Sequence, residues 1–437
     1  MLTLSLDMDA LGLTGKRVLC AVSGGADSVA LLRLLCDLRN EGVLELYAAH
    51  FEHGIRGKAS VQDLHFVKEL CAGLNVPFTA KRANVPKAAR RSHEGIESCA
   101  RRLRHEFLEE TRRKLCCDVI ALAHHRRDRA ETVLMHLLRG SGLRGAAAMP
   151  VKTGNIVRPL IDVDPDEIRR WLTEIGQEWR EDETNAQPDN PRNALRLDVF
   201  PRLRQIYPGF EAALNRFAEI SGEEDRLLEA LTDEYEKSAL SGFAGVWVLK
   251  KGEPALTRRC VHRLMPEGDF DMVEKALTAT KARDLGQGFV ASGDMQNVYL
   301  CPAHKKRPKS ETLRLSGTTV LKGVCRVTAR DCPAVPIKNN GYTQVLNKEA
   351  LAGARLRLWQ KNDFICPLGL KGGRKTLGDY FTDRHFPPAL RHHLPIVAKD
   401  NEALWVPGLG ISEKLRVMPE NDAVELTIEI MGGNDDD

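Results

Sequence analysis

The stretch Val-Leu-Cys-Ala-Val-Ser-Gly-Gly-Ala-Asp-Ser-Val-Ala, at residues 18–30, decides the fold. An apolar run ends in a small glycine-rich turn and is followed by an apolar helical pattern, which predicts a buried strand, a tight loop and a helix. Such a loop directs the backbone N–H groups of the helix start toward one point, where the helix dipole adds partial positive charge. The sequence therefore predicts a phosphate site at residues 23–28.

Each residue type in this loop suits a phosphate ligand. Gly24 and Gly25 let the backbone approach without a Cβ in the way, and Ser23 and Ser28 supply hydroxyl donors. Asp27 is suited to hold a metal ion beside the phosphates. The alternative is a helix capped by serine and aspartate after a glycine turn. The predicted phosphate-binding set is Ser23, Gly24, Gly25, Ala26, Asp27 and Ser28.

Composition limits the class of protein. A chain of 437 residues with 43% apolar and 28% charged residues is expected to form two or three globular domains. It has no apolar run of membrane-spanning length and no secretory signal pattern, so we expect no membrane partner and a cytoplasmic location. Its eleven cysteines are scattered and include no Cys-x-x-Cys, which argues against a disulfide framework or a cysteine-held metal.

Basic residues crowd residues 81–114, although the formal net charge is only +4. A basic face of this kind is typical of a nucleic-acid partner. A solvated helix face with compensating glutamates is the equally good alternative, and charge alone does not separate them. The cluster comprises Lys81, Arg82, Lys87, Arg90, Arg91, Arg101, Arg102, Arg104, Arg112, Arg113 and Lys114.

Strand and helix patterns alternate over the first part of the chain, which predicts an α/β fold with a doubly wound, mostly parallel sheet. Ligands of such sheets bind beyond the carboxyl ends of the strands. Three polar clusters fall there: residues 23–28, 50–56 and 124–132.

The third cluster contains two histidines and two carboxylates. Asp128 and Glu131 lie three residues apart at a predicted helix start and share one helix face. One interpretation is a capping pair, with Asp128 as N-cap and Glu131 at N3. The other, favoured by the nearby phosphate loop, is a magnesium ligand and a carboxylate that orients an ammonium group. His124 and His125 are then placed to contact phosphate or polarise a carbonyl, whereas their spacing disfavours zinc.

The motif Ser-Gly-Gly-x-Asp-Ser resembles the pyrophosphate loop (PP-loop) of the N-type ATP pyrophosphatases, whose fold is adenine nucleotide alpha hydrolase-like. Together with further motifs, it makes most of the first 205 residues resemble the tRNA(Ile)-lysidine synthetases. These motifs are His-Gly-Ile-Arg at 53–56, Gly-Ile-Glu at 95–97, His-His-x-x-Asp-x-x-Glu-Thr at 124–132, Leu-Arg-Gly-Ser-Gly-Leu-Arg-Gly at 138–145, Asp-Glu-Thr-Asn at 182–185 and Arg-Asn-Ala-Leu-Arg at 192–196.

That resemblance implies an AMP-forming ligase that uses ATP and Mg²⁺. It would join free L-lysine to C2 of the wobble cytidine in the isoleucine tRNA with a CAU anticodon, through an adenylated intermediate. Pyrophosphate and AMP would be released, and decoding would change from AUG to AUA. The assembly state stays open, with a homodimer as one alternative.

The resemblance also implies roles for the site residues. Asp27 and Asp128 would hold Mg²⁺, and Glu131 would receive the substrate ammonium or its proton. Arg104 would stabilise the phosphate in the transition state. The two histidines, His124 and His125, would line the adenylation site.

Three positions depart from the family pattern. Glu52 stands where the family usually has asparagine, and Arg127 and Arg129 flank Asp128 where it usually has Asp-Asp-Gln. We expect the two arginines to meet phosphate or the RNA backbone.

The remaining chain predicts two further domains after a PP-loop ATP-binding catalytic domain at 1–205. Residues 206–310 are predicted to form a helical domain with a linker, its apolar stripes being core. Residues 311–437 are predicted to form a small α+β domain. The family resemblance implies that both domains bind tRNA. Within it, the glycine-lysine turn at 369–375 is predicted to bind phosphate at the start of a short helix.

Two other functions compete with the ligase. A tRNA thiolase of the same superfamily needs a sulfur-carrying cysteine pair or cluster, whereas Cys99, Cys116 and Cys117 are predicted to be core residues. A non-catalytic tRNA-binding protein that senses ATP has no need of carboxylates such as Asp27 and Asp128.

Overall fold

The computed structural model of the chain describes residues 11–54, 58–181, 191–302, 307–334, 341–370 and 372–431. The chain divides into two compact units, Met1–Leu227 and Leu228–Asp437. Parts of the predicted motifs lie outside the described residues: 55–56, 182–185, 304–306 of the linker and 371 of the glycine-lysine turn.

The first unit alternates strands and helices around a six-stranded sheet in the order β3-β2-β1-β4-β6-β5. Strand β1 pairs in parallel with β2 and β4, so these strands end at one edge of the sheet. This confirms the predicted doubly wound α/β fold. The elements are β1 (Arg17–Ala21), α1 (Ala26–Asn40), β2 (Glu45–Glu52), α2 (Lys58–Gly73), β3 (Phe78–Arg82), α3 (Val85–Ser92), α4 (Ile96–Lys114), β4 (Val119–Ala121), α5 (Arg126–Leu138), α6 (Leu143–Ala146), β5 (Lys152–Thr153), β6 (Ile156–Val157), α7 (Pro165–Glu174), α8 (Pro191–Ala194), a π-helical turn (Leu195–Val199) and α9 (Phe200–Ile206).

Both faces of β1 are buried, as a doubly wound sheet requires. Val18 and Cys20 pack into the apolar cluster that contains the inner face of α1. Leu19 points the other way, into the cluster that contains Phe107 and Leu108 of α4. The strand is therefore fixed from both sides, and the loop that follows it has a rigid base.

The middle of the chain contains a sheet that the sequence analysis did not predict. Helix α10 (Phe210–Ala239) leads into a five-stranded antiparallel sheet in the order β7-β8-β11-β10-β9, with two helices packed on it. The prediction of a purely helical region is therefore wrong, because strands of four to six residues joined by tight turns give too short an alternation to compete with the helical pattern. The elements are β7 (Leu240–Phe243), β8 (Val246–Lys250), α11 (Pro254–Leu264), α12 (Phe270–Thr278), β9 (Arg283–Gly286), β10 (Phe289–Gly293) and β11 (Asn297–Pro302).

The predicted core stripe of α10 is also partly wrong. Phe217, Ile220 and Leu227 are 40%, 56% and 62% exposed. The buried side of this part of the helix carries small or polar residues instead, including Ala218 and Ser221. Apolar spacing identifies a helix face but does not establish that another element covers it.

The carboxyl-terminal region is α+β, as predicted. Its larger sheet has the order β12-β16-β19-β20-β17-β18 with β21 beside β20, and its smaller sheet has the order β13-β14-β22-β15. The elements are β12 (Glu311–Thr312), β13 (Gly317–Leu321), β14 (Cys325–Cys332), β15 (Thr343–Asn347), β16 (Arg355–Leu358), β17 (Phe364–Ile365), β18 (Lys375–Thr376), α13 (Leu377–Asp383), α14 (Pro388–Arg391), β19 (Pro395–Lys399), β20 (Glu402–Val406), β21 (Gly410–Ile411) and β22 (Ala423–Ile430).

The predicted phosphate site at the start of α13 is not supported. Thr376 caps this helix, because its hydroxyl accepts the backbone N–H of Asp379 at 3.2 Å. Lys375 pairs with Asp383 of the same short helix. The helix start and the neighbouring lysine thus each have a partner within this segment.

Across the ranges that the structure describes, no helix combines the length and the apolar composition that crossing a membrane requires.

Candidate active site

The predicted phosphate loop is held in shape by Ser28. Its hydroxyl oxygen accepts the N–H groups of Ser23 and Gly24, both at 3.1 Å, and the hydroxyl donates to the carbonyl of Gly25 at 2.9 Å. The side chain is buried, with 5% exposure of the residue. Ser28 therefore shapes the loop, rather than offering its hydroxyl to a ligand as the sequence suggested.

The two glycines act differently. Gly24 has a φ of +99°, and a Cβ there would lie 3.3 Å from the Val67 side chain, so both backbone and space favour glycine. Gly25 is the N-cap of α1, and no side chain supplies the capping hydrogen bond. The first-turn N–H groups at Ala26 and Asp27 are thus positioned to bind an anion, together with the helix dipole.

A cavity of about 820 Å³ lies at this edge of the sheet. Residues after β1 and at the end of β2 contribute to it, as two of the three predicted polar clusters should, whereas no residue of the third cluster, 124–132, is among its lining residues. Arg104 of α4 and the 179–181 segment close it from other sides. The lining residues are Ser23, Gly25, Ala26, Asp27, His50, Phe51, Glu52, His53, Ser60, Asp63, Arg104, Arg169, Trp179, Arg180, Glu181 and Leu197.

Asp27 lines this cavity and lacks a full set of partners. Its Oδ1 is buried and finds no hydrogen-bond partner in the described part of the chain, while Oδ2 lies 3.8 Å from Nε2 of His125. Burial raises the pKa of Asp27, against the opposing effect of His125. An orphaned, buried carboxylate oxygen fits a divalent cation, because the cation supplies the missing charge and ligand.

His125 links Asp27 to the second predicted carboxylate. It is the N-cap of α5: its Nδ1 accepts the N–H of Asp128 at 3.2 Å, and Asp128 Oδ2 accepts the N–H of His125 at 3.1 Å. A capping box is therefore present, but with other members than predicted: His125 is the N-cap and Asp128 is at N3, so the predicted positions of Asp128 as N-cap and Glu131 at N3 are wrong. The helix begins at Arg126, earlier than predicted, because a histidine ring acts as the cap acceptor.

Glu131 is fully buried and bound by two arginines. Its Oε1 accepts Nε of Arg196 at 2.7 Å, and Oε2 accepts Nε of Arg192 at 2.9 Å and Nη2 of Arg196 at 2.8 Å. In this arrangement the carboxylate is not available to a substrate ammonium, so that predicted role lacks structural support. The two arginines, which the sequence analysis quoted only as the ends of the family motif at 192–196, are the ion-pair partners of Glu131. Their spacing of four residues was the available sequence signal.

The same arginines also approach Asp128. Their Nη2 atoms lie 3.4 Å and 3.3 Å from its Oδ1. Burial favours the protonated carboxyl, but His125 and then Arg192 outweigh it, and the pKa of Asp128 is lowered. Asp128 is therefore ionised but already engaged, and it fits a metal less well than Asp27.

His124 and Arg104 both have a buried nitrogen without a hydrogen-bond partner among the described residues, namely Nδ1 and Nε. Burial lowers the pKa of His124 to about 4. Asp128 acts to raise this pKa, whereas nearby cations such as Arg158 act to lower it, so the ring is neutral near pH 7. Burial, followed by the charge of Arg101, also lowers the pKa of Arg104. Arg104 is thus an uncompensated cation that lines the cavity, which suits a phosphate group.

The arginines that depart from the family pattern do not line the cavity. Arg127 Nη2 lies 3.2 Å from Asp166, and Arg129 Nη2 donates to Asp162 at 2.7 Å and to Glu219 at 2.8 Å. Arg129 is 4% exposed. The expectation that they meet phosphate or RNA is therefore wrong, because both are used in ion pairs that tie α5 to the elements around it.

Glu52, the third departure, stabilises the turn after β2. Its Oε1 accepts the N–H of Gly54 at 2.7 Å, and its Oε2 lies 2.6 Å from Nε of Arg82. A carboxylate here can perform the same turn-holding task as an asparagine carbonyl, and Arg82 compensates its charge.

Two family models match the chain: the PP-loop domain over residues 5–203 and the TilS substrate C-terminal domain over residues 354–428. The tRNA(Ile)-lysidine synthase of Caldanaerobacter subterraneus subsp. tengcongensis is 31% identical over 437 residues, covering 94% of this chain and 93% of that protein. The chain belongs to the tRNA(Ile)-lysidine synthase family. The family member of Deinococcus radiodurans is 35% identical over 394 residues, covering 90% of this chain and 59% of that protein.

Among solved structures, the U34-tRNA thiolase NcsA from Methanococcus maripaludis with its [4Fe-4S] cluster matches with a TM-score of 0.42 and 18% identity. The match covers 49% of this chain and 77% of that one.

In the present chain, Cys99 and Cys117 are buried core residues, as predicted. Cys116 is exposed at the end of α4, so its predicted burial is wrong. The left-handed backbone there, with a φ of +52°, turns the chain sharply into β4.

Proposed function

We propose that this chain ligates free L-lysine to C2 of the wobble cytidine in the isoleucine tRNA with a CAU anticodon. One observation supports the proposal most strongly: in a tRNA(Ile)-lysidine synthase family member, the uncapped start of α1, the orphaned Asp27 and the unpaired Arg104 line the same cavity. Such a site combines two anion-binding groups with one cation-binding group, as an ATP-cleaving site requires.

In the first step, the C2 oxygen of cytosine attacks the α-phosphate of ATP, and pyrophosphate leaves. The first-turn N–H groups of α1 would hold the departing phosphates. Arg104 would stabilise the charge that develops on the α-phosphate, and burial makes its charge more effective there. The reacting cytosine must be splayed out of its stack to enter the cavity.

Mg²⁺ fits this site through Asp27, whose buried Oδ1 has no hydrogen-bond partner among the described residues. When bound, the ion would neutralise charge at the attacked phosphate. Asp128 would join it only if Arg192 and Arg196 released its Oδ1.

In the second step, the lysine ε-amine attacks C2 and expels AMP. Glu131 would receive the lysine ammonium if one of its two arginines moved away, and we propose that lysine and arginine exchange at this carboxylate. Arg192 and Arg196 retain 25% and 31% side-chain exposure, so both have access to solvent. Arg196 also lies in the π-helical turn Leu195–Val199, a type of irregularity that is frequent at functional sites.

The regions beyond residue 205 would bind tRNA, with residues 206–310 and 311–437 as separate binding domains. The cytoplasm, where tRNA and ATP are both present, is the proposed compartment. A homodimer is compatible with these roles and is not required by them.

The decisive experiment uses the full chain with ATP, Mg²⁺, radiolabelled lysine and total bacterial tRNA, and counts label in precipitated RNA. We expect incorporation by the wild type and none by Asp27→Asn, because the amide keeps the size of the carboxylate but loses its charge. Asp37→Asn is the matched control, since Asp37 is an exposed acid on the same helix. Equal incorporation by Asp27→Asn and wild type, or no label with folded wild type that binds ATP, would contradict the proposal.

A further inference from the structure

The outward face of α3 carries three exposed cations, Lys87, Arg90 and Arg91, and none of them forms an ion pair within the described residues. The opposite face fixes the helix, because Val85 and Ala89 are buried in the core. The helix therefore has one stable orientation, and it presents its positive charges to solvent.

Several other cations of the basic stretch at 81–114 are compensated. Lys81 lies 2.9 Å from Glu110, Arg102 lies 3.0 Å from Glu106, and Arg113 lies 2.7 Å from Glu109. The sequence left two interpretations of this stretch open, a nucleic-acid face or a solvated helix face. The structure separates them by position: these pairs form a solvated face, whereas α3 is left with uncompensated charge.

A depression of about 360 Å³ marks the same face of α3. Its lining residues are Asn84, Lys87, Ala88, Arg91 and Ser92. Lys87 and Arg91 are four residues apart, so their Cβ atoms are about 5–6 Å apart on one side of the helix. Two cations thus flank a concavity in which a single anionic group has room to sit.

Helix α3 begins at the rim of the 820 Å³ cavity. The N–H of Val85 donates to the carbonyl of His53 at 3.1 Å, and the N–H of Ala83 donates to the backbone carbonyl of Glu52 at 2.9 Å. Both His53 and Glu52 line the cavity. The turn is tight, since a Cβ at Gly54 would lie 2.5 Å from the carbonyl oxygen of Ala83. The basic face is therefore rigidly attached beside the candidate site.

We infer that this face of α3 binds the sugar-phosphate backbone of an RNA strand while one base of that strand occupies the cavity. The inference rests on the proposed function for the identity of the strand as tRNA. Ammonium and guanidinium groups on one helix face contact phosphates without reading sequence, so they position the RNA rather than select it. The choice of the base that enters the cavity would be made by groups other than these cations of α3.

The test compares two double variants of the full chain that each remove two positive charges. Lys87→Gln with Arg91→Gln removes the cations that flank the depression. Lys81→Gln with Arg113→Gln removes two exposed, paired cations of the same domain. Affinity for tRNA is measured by filter binding at several salt concentrations, and lysine incorporation is measured at saturating tRNA.

We expect the α3 variant to bind tRNA more weakly and to have a salt slope shallower by about 1.4, from about 0.7 per lost contact with a single strand. Its incorporation rate at saturating tRNA should match that of the wild type, and the control should keep the wild-type slope. Equal slopes for the two variants would overturn the inference. If the wild type binds tRNA through α3 but incorporates no lysine, the proposed function fails while this surface stands.

Discussion

Replacing Glu131 with glutamine tests whether its two arginines stabilise the first unit. The carboxylate is fully buried and takes three hydrogen bonds, at 2.7, 2.8 and 2.9 Å, from Arg192 and Arg196. Glutamine keeps the volume but removes the charge, so the two guanidinium groups lose their counter-ion. Glu109 provides a matched control, since it also takes three such bonds from two arginines, at 2.7 to 2.8 Å.

The two sites differ mainly in burial. The side chain of Glu131 has 0% exposure, whereas that of Glu109 has 33%. Breaking a buried pair by removing one partner costs about 3–5 kcal/mol, but here both arginines reach solvent, so we expect about 2–3 kcal/mol. At the more exposed site, solvent screens the charges, and Glu109→Gln should cost less than about 1 kcal/mol.

Thermal unfolding of the full chain, followed by circular dichroism, measures the difference. For a unit of this size, Glu131→Gln should lower the Tm of the transition that unfolds the first unit by about 4–12 °C. Lysine incorporation should also fall, because the segment with Arg192 and Arg196 loses its anchor beside Asp128. If Glu131→Gln and Glu109→Gln destabilise equally, the argument from burial is refuted. If Glu131→Gln abolishes incorporation with an unchanged Tm, the carboxylate acts on substrate and not on the arginines.

Two further predictions concern the turn after β2 and the acid stability. Gly54→Ala should destabilise the chain more than Gly42→Ala in urea unfolding: both have a positive φ, but only at Gly54 would the new Cβ clash, 2.5 Å from a carbonyl oxygen. Because burial lowers the pKa of His124 from 6.5 to about 4, the folded state binds fewer protons than the unfolded state between these values. Stability should therefore fall by up to about 3 kcal/mol as the pH drops from 6.5 to 4. His124→Gln should make stability depend less on pH over this range. If the variant shows the same dependence of unfolding free energy on pH as the wild type, the role given to His124 is contradicted.

The sequence predicted the parts of the site that are encoded over short stretches. The strand, loop and helix at residues 18–30 follow from an apolar run, two glycines and a helical pattern, all of which are local. The alternation of strands and helices then places the loop at the carboxyl edge of a parallel sheet. For the same reason, Asp27 was recognisable as a candidate residue before its surroundings were known, whereas Arg104 became a candidate through the family resemblance.

The sequence did not predict which polar groups satisfy one another across the fold. Glu131 meets Arg192 and Arg196 from 61 and 65 residues away, and Arg129 meets Glu219 from 90 residues away. These contacts change the interpretation of each residue from a ligand-binding group to a partner in an ion pair. No local pattern distinguishes the two, because an unpaired and a paired arginine look identical in sequence.

By itself, then, the sequence determined the class of fold, the phosphate loop and the family resemblance, since each depends on residue types at fixed short spacings. Only the tertiary structure decided that Glu131 is held by arginines and that the charge of α3 is uncompensated. The physical reason is that burial and ion pairing depend on distances between segments, which packing sets and sequence spacing does not.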